Sequence, residues 1–192
     1  MFQVRIHGRG GQGVVTGAEL LSIAAFLEGR HSQAFPSFGS ERMGAPVVAF
    51  CRISNSEIRL REPVMTPDAL IIQDPTLLHQ VDLFSGLSKS GYILINSGKS
   101  FDELGLSVLF DTYSPDRLVA VPATEIALKH IGRPLPNSSL LAGFCALTGE
   151  VGIDSLKKAI SEKFSGNTAR NNISAAEAAF SFVRENMHVA AD

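Results

Sequence analysis

The chain of 192 residues has little cysteine, little charge and no long apolar run. Its two cysteines, Cys51 and Cys145, stand far apart with no Cys-x-x-Cys pair between them. That excludes an iron–sulfur cluster held by this chain alone and argues against a structural zinc. Both read as small buried hydrophobes, the common fate of a free cysteine. The net charge of −2 gives no electrostatic case for binding nucleic acid or an anionic membrane. No apolar run reaches the roughly 18–20 residues of a membrane span, and Met1 leads directly into a strand-like segment, so a cytoplasmic location is expected. A catalytic constellation is also missing. His7, His31, His79, His130 and His188 are scattered without metal-ligand spacing, Asp111 has no paired acid, and no serine has a G-x-S-x-G setting. Charged residues amount to 19% against 45% hydrophobic, the composition of an ordinary globular protein somewhat low in charge, from which some surface covered by partners is an expectation.

What is present reads as one domain, residues 1–192, long enough to bury roughly 70% of its unfolded surface. Short apolar runs alternate with helical stretches. Phe2 to His7 predicts a first strand and Val14 to Leu27 a helix. His31 to Phe35, Ala45 to Ile53, Asp68 to Gln73, Gly91 to Asn96 and Leu118 to Val121 predict further strands. The nearly continuous apolar run at Asp68–Gln73 is of the kind buried on both faces. Asp74-Pro75 has the form of a helix start, an N-cap with proline at the first helical position, and predicts a helix over 76–84. Further helices are expected from Pro122 to Ile131, from Asn137 to Thr148, and in the amphipathic segments Asp154–Phe164 and Ser174–Asn186. Alternating βα units predict an α/β fold: a Rossmann-like three-layer α/β/α domain with a mainly parallel sheet, helices on both faces and a helical C-terminus. In such a sheet a ligand or partner meets the carboxyl ends of the strands.

The most informative segment lies there. Gly8, Gly10 and Gly13, with Gly11 and Gln12 between them, fit the G-x-G-x-x-G fingerprint at the end of the first strand. Glycines let the backbone pass close to a ligand, and the free N–H groups opening the helix attract negative charge. A dinucleotide fold normally adds an acid about 20 residues on, at the tip of the second strand. Here that strand runs into Pro36 with no acid, and Glu28 sits too early, in the last turn of the helix before Gly29. Three readings stay open from these residues: an NAD(P)- or flavin-binding oxidoreductase, a phosphate- or protein-binding module, and a tight turn that binds nothing.

A second loop, Phe35 to Pro46, holds two aromatics, two glycines, an adjacent Glu41-Arg42 pair and prolines at 36 and 46. Proline and glycine fix its shape, so it reads as a rigid binding loop. Arg42 could meet phosphate or carboxylate through its planar fork, or pair with a neighbouring acid as a structural ion pair.

Taken together, Gly8-Arg9-Gly10-Gly11-Gln12-Gly13 and Ser37-Phe38-Gly39-Ser40-Glu41-Arg42-Met43-Gly44-Ala45-Pro46-Val47 resemble the gamma subunit of pyruvate:ferredoxin oxidoreductase and related 2-oxoacid:acceptor oxidoreductases. Pro122 to Ala127, Arg133 to Leu141 and the Phe164–Arg170 region resemble the same family, so the likeness spans nearly the full length. The resemblance implies a subunit of a larger complex that oxidatively decarboxylates a 2-oxoacid on thiamine diphosphate with magnesium. It implies electron transfer through [4Fe–4S] clusters to ferredoxin or another acceptor, and acyl transfer to coenzyme A. With no G-D-G segment and no cluster cysteines here, those groups are expected on partner chains: thiamine-binding alpha and beta subunits and a ferredoxin-like delta subunit. Residues 8–13 and 37–46 are then expected to dock on the thiamine-binding chains near the coenzyme A entrance, with Ser40, Glu41, Arg42 and Met43 as partner contacts. Gly8, Gly10, Gly11, Gln12, Gly13 and Arg42 are the residues that could meet coenzyme A phosphates. Pyruvate is the favoured 2-oxoacid, with an aromatic one such as phenylglyoxylate as rival.

Overall fold

A computed structural model describes residues 1–37 and 43–189, with side chains in the last helix described through Met187. Six strands form one sheet: β1 (Phe2–Arg9), β2 (His31–Pro36), β3 (Pro46–Ser54), β4 (Ala69–Ile72), β5 (Tyr92–Asn96) and β6 (Leu118–Val121). Their order is β2-β3-β1-β4-β5-β6. The half made of β1, β4, β5 and β6 is parallel, and β3 runs antiparallel to both β1 and β2. The described residues also form five α-helices: α1 (Val14–Leu27), α2 (Ala123–Ile131), α3 (Asn137–Thr148), α4 (Ile153–Lys163) and α5 (Gly166–Val189). The α/β class expected from the alternating pattern is the class observed.

The two-residue repeat of a strand decides which side chains go to which face. Val4, Ile6, Ala49, Cys51, Ile53, Ala69, Ile71, Leu94, Val119 and Val121 enter a core shared with buried residues of all five α-helices. The alternate residues Leu70, Ile72, Ile93, Ile95 and Leu118 enter a second core, closed by Leu77, Leu83, Leu87, Phe101, Leu109 and Tyr113. The second face is covered by connecting segments and 3₁₀ turns, among them Pro75–His79 and Ser107–Asp111, while the α-helices lie on the first. The helices expected on both faces are thus found on one: the links between the parallel strands β4, β5 and β6 are too irregular to form α-helices.

Two elements differ from the sequence reading. The helix expected over 76–84 is a 3₁₀ turn of Pro75–His79. Asp74 starts it as anticipated, its carboxylate accepting from the Thr76 N–H at 2.9 Å. However, Leu77 and Leu83 both bury in the second core. Six residues apart, they would be displaced about 240° around a straight helix, so the chain bends instead. Conversely, α5 begins at Gly166, eight residues before Ser174. Asn171 and Asn172 are weak helix formers, yet Asn172 donates to the Thr168 carbonyl at 2.9 Å and accepts from the buried Ser138 hydroxyl at 2.8 Å. Tertiary bonding overrides propensity there. No helix among the described residues is long and apolar enough to cross a membrane.

Candidate functional site

β1 delivers the glycine segment to the carboxyl edge of the parallel half, where β3's entry segment meets it. Gly10 donates its N–H to the Ala45 carbonyl at 2.9 Å, accepts from the Gly44 N–H at 3.1 Å, and forms a parallel bridge with Met43. The Arg9 N–H donates to the Gln12 side-chain oxygen at 2.8 Å, and the Gln12 N–H donates to the Arg9 carbonyl at 3.0 Å. The amides of Arg9, Gly10 and Gln12 are thus engaged within the chain.

The glycines answer to the chain's own packing. A β-carbon on Gly8 would stand 2.5 Å from Val14 Cγ2 and 3.1 Å from the Gln12 side-chain oxygen. On Gly13, whose φ is +75°, it would stand 2.9 Å from Asn137 Nδ2. Gly11, with φ +91°, lies directly under the Met43 sulfur. The room that these glycines leave is thus bordered by Gln12, Met43 and Asn137 of the chain itself. The acid nearest the ribose position, Glu28, instead accepts the Gly152 N–H at 2.8 Å and so caps the start of α4.

Arg9 is the hub of the edge. Its Nε donates to Asp74 Oδ2 at 3.1 Å, its Nη1 to the Gly44 carbonyl at 3.0 Å, and its Nη2 to Thr76 Oγ1 at 2.6 Å and Gln80 Oε1 at 3.1 Å. The ion pair is largely covered, the Arg9 and Asp74 side chains being 21% and 12% exposed. Asp74 also accepts from Gln12 Nε2 at 2.8 Å and from the Thr76 hydroxyl at 2.6 Å. Burial raises the Asp74 pKa, but the hydrogen bonds from Thr76 and Gln12 and the Arg9 charge outweigh it, so the carboxyl titrates below its ordinary range.

The network continues along the strand ends. Gln73 Nε2 donates to the Gln12 carbonyl, Asn96 Nδ2 donates to the Gln73 carbonyl at 2.9 Å and to Thr124 Oγ1 at 2.8 Å, and the Thr124 N–H donates to Asn96 Oδ1 at 3.1 Å. Beyond it a cleft of about 510 Å³ opens at the ends of β5 and β6, lined among others by Pro75, Asn96, Lys99, Thr124 and Glu125.

Groups suited to redox or metal chemistry do not converge here. Among the described residues no three His, Cys, Asp or Glu side chains come together as metal ligands. Cys51 and Cys145 are buried, and burial pushes both thiols up to about 12 (Glu28 adds to the effect at Cys145), so they stay protonated at neutral pH.

Of the residues singled out from the sequence, Gly8, Gly10, Gly11, Gln12, Gly13 and Met43 are brought together. Ser40, Glu41 and Arg42 lie outside the described residues. Sequence reasoning missed Arg9, Asp74, Gln73, Asn96 and Asn137 as members of the edge. The available signal was polar residues closing apolar strands, Gln73-Asp74 after β4 and Asn96 at the end of β5, where a buried strand would otherwise simply stop.

The fold and edge define an α/β subunit with a glycine junction closed by its own side chains. Residues 3–182 match the family model described as pyruvate ferredoxin/flavodoxin oxidoreductase. The chain is 49% identical to pyruvate synthase subunit PorC of Methanosarcina barkeri over 160 residues, covering 83% of this chain and 85% of that one. It is 46% identical to the pyruvate/ketoisovalerate oxidoreductases common subunit gamma of Pyrococcus furiosus, covering 94% of this chain and 96% of that one. The crystal structure of pyruvate oxidoreductase subunit PORC from Thermotoga maritima superposes with a TM-score of 0.79 at 33% identity, over 94% of this chain and 95% of that one. This chain belongs to the pyruvate ferredoxin/flavodoxin oxidoreductase family, among its gamma-type subunits.

Proposed function

We propose that this chain is the gamma subunit of a 2-oxoacid:ferredoxin, or other acceptor, oxidoreductase that converts pyruvate and coenzyme A to acyl-coenzyme A and carbon dioxide. Its part in the reaction is to dock, through residues 8–13 and the 37–46 loop, on alpha and beta subunits that hold thiamine diphosphate and magnesium. A ferredoxin-like delta subunit supplies the [4Fe–4S] clusters and passes electrons to the acceptor. The observation that carries the reading is the junction itself: the glycine loop and the Met43–Ala45 end of the second loop are bonded together at the carboxyl edge, with Met43 89% exposed. Because the Arg9, Gly10 and Gln12 amides are already hydrogen-bonded, protein contact is favoured over phosphate binding as the loop's main role. Contact between coenzyme A and Arg42 or the remaining loop amides is a secondary part of the proposal. The relatives named for pyruvate and ketoisovalerate support a small aliphatic 2-oxoacid, and the choice among them falls to the thiamine-bearing chains.

Affinity-tagged chain expressed in its native host provides the test. The expected result is co-purification of larger subunits carrying thiamine diphosphate and the brown colour of iron–sulfur clusters. Recovery of the chain alone, with calorimetric binding of NAD(P) to the isolated protein, would falsify the proposal in favour of a free-standing nucleotide-dependent enzyme.

A further inference from the structure

We infer that Arg9 is the positioning residue of the docking edge: it fixes the base of Met43 so that this side chain enters an apolar socket on the partner subunits. The inference rests on the docking role proposed above. The segment Met43–Ala45 arrives from the antiparallel half of the sheet, whereas Asp74, Thr76 and Gln80 follow β4 on the parallel half. β1 lies between them, and Gly10, just past its end, holds the segment by two backbone bonds. Among the described residues the Arg9 guanidinium alone joins the segment to the β4 side, with Nη1 on the Gly44 carbonyl and Nε and Nη2 on Asp74, Thr76 and Gln80.

That bridge needs a planar fork. A lysine ammonium is a single point on a flexible stem and cannot span Gly44 and Asp74 together with the same geometry. Asp74 is in turn held by the Thr76 N–H and hydroxyl and by Gln12 Nε2, so the acceptor that orients the fork is itself fixed. The consequence is a rigid pedestal beneath a pliable tip. Met43 is 89% exposed, and its sulfur lies over Gly11, where any side chain would displace it.

The chemistry of the tip specifies the partner. Thioether side chains adapt to apolar surfaces and have no polar group that demands pairing. The charges at its base, Arg9 and Asp74, pair with one another. A pedestal ordered before binding reduces the entropy lost on association, and its disruption appears mainly as faster dissociation.

A double-mutant cycle tests this. The full-length chain, Arg9→Lys, Met43→Ala and the double variant are titrated against the remaining subunits purified as a complex without this chain. Each single change is expected to weaken binding about 10-fold. The double variant is expected to be no weaker than Met43→Ala alone, because Arg9 acts through Met43. Wild-type affinity for Met43→Ala would overturn the docking reading at this loop. Weakening by Met43→Ala with either no effect of Arg9→Lys or a fully multiplied loss of about 100-fold in the double would overturn the positioning role and leave the docking reading standing. Should Arg9→Lys fail to fold, Thr76→Val takes its place in the cycle, since it removes the 2.6 Å contacts of the Thr76 hydroxyl with Arg9 Nη2 and with Asp74 while both members of the ion pair stay.

Discussion

His7 follows Ile6 in β1 and, by strand alternation, turns to the face away from the α-helices, where it is only 4% exposed and its Nε2 has no hydrogen-bond partner. Burial, and then the charge of nearby Arg5, pushes its pKa down to about 4. In the unfolded chain the imidazole titrates at roughly 6.5. Between these values the unfolded chain takes up a proton that the folded chain refuses. Stability from this group is therefore full above about pH 6.5 and declines as pH falls toward 4. At about 1.4 kcal/mol per pH unit the loss amounts to about 3 kcal/mol. His7→Gln keeps a polar group at the site without titrating, so its urea-unfolding stability should fall less between pH 7 and pH 4.5 than that of the parent. Parallel declines in the two proteins would show that His7 is not the group responsible. Arg5, one turn of the pleat away, is also desolvated, but it has the Leu83 and Ser85 carbonyls at 2.9 and 2.6 Å and stays charged across this range.

At the scale of the elements, α3 is the most completely buried of the described α-helices. Every residue from Asn137 to Leu147 is buried, so the helix has no solvent face, as expected of one enclosed between other helices and a sheet. At its polar start Asn137 lies against Gly13, Ser138 bonds to Asn172 and the buried Ser139 hydroxyl has no partner, while Phe144 meets the Phe2 ring edge-on at 6.1 Å. Phe144→Ala should cost about 3–5 kcal/mol, read from the shift in denaturant midpoint; a loss under about 1 kcal/mol would mean that the helix can collapse onto the gap. The limits of α1 and α3 were legible in the sequence because apolar density and flanking Gly13, Gly29 and Gly149 agree with each other. The 76–84 segment and the start of α5 were not, because in one the second core dictates where Leu77 and Leu83 point, and in the other a partner serine 34 residues away rescues Asn172. Both depend on contacts that no local window contains.

For the whole molecule, strand alternation in β4, β5 and β6 sorts the apolar residues into two cores, and the glycine pattern marks the sheet edge that the β3 entry segment joins. What the pattern could not convey is why the glycines are there. G-x-G-x-x-G reads identically whether a pyrophosphate or a methionine lies above it, and only the position of Met43 over Gly11 and Asn137 beside Gly13 tells the cases apart. The Arg9–Asp74 pair was equally hidden, since its members stand 65 residues apart.

The central claim is that this chain contributes a docking surface and its partners contribute the reacting groups. Coenzyme A-dependent pyruvate oxidation by the remaining subunits, purified without this chain and assayed before and after its addition, tests that claim most directly. Activity that is low without the chain, rises on its addition and saturates is the predicted result, with no acceptor reduction by the chain alone. Turnover of pyruvate by the isolated chain, or partners equally active without it, would contradict the account.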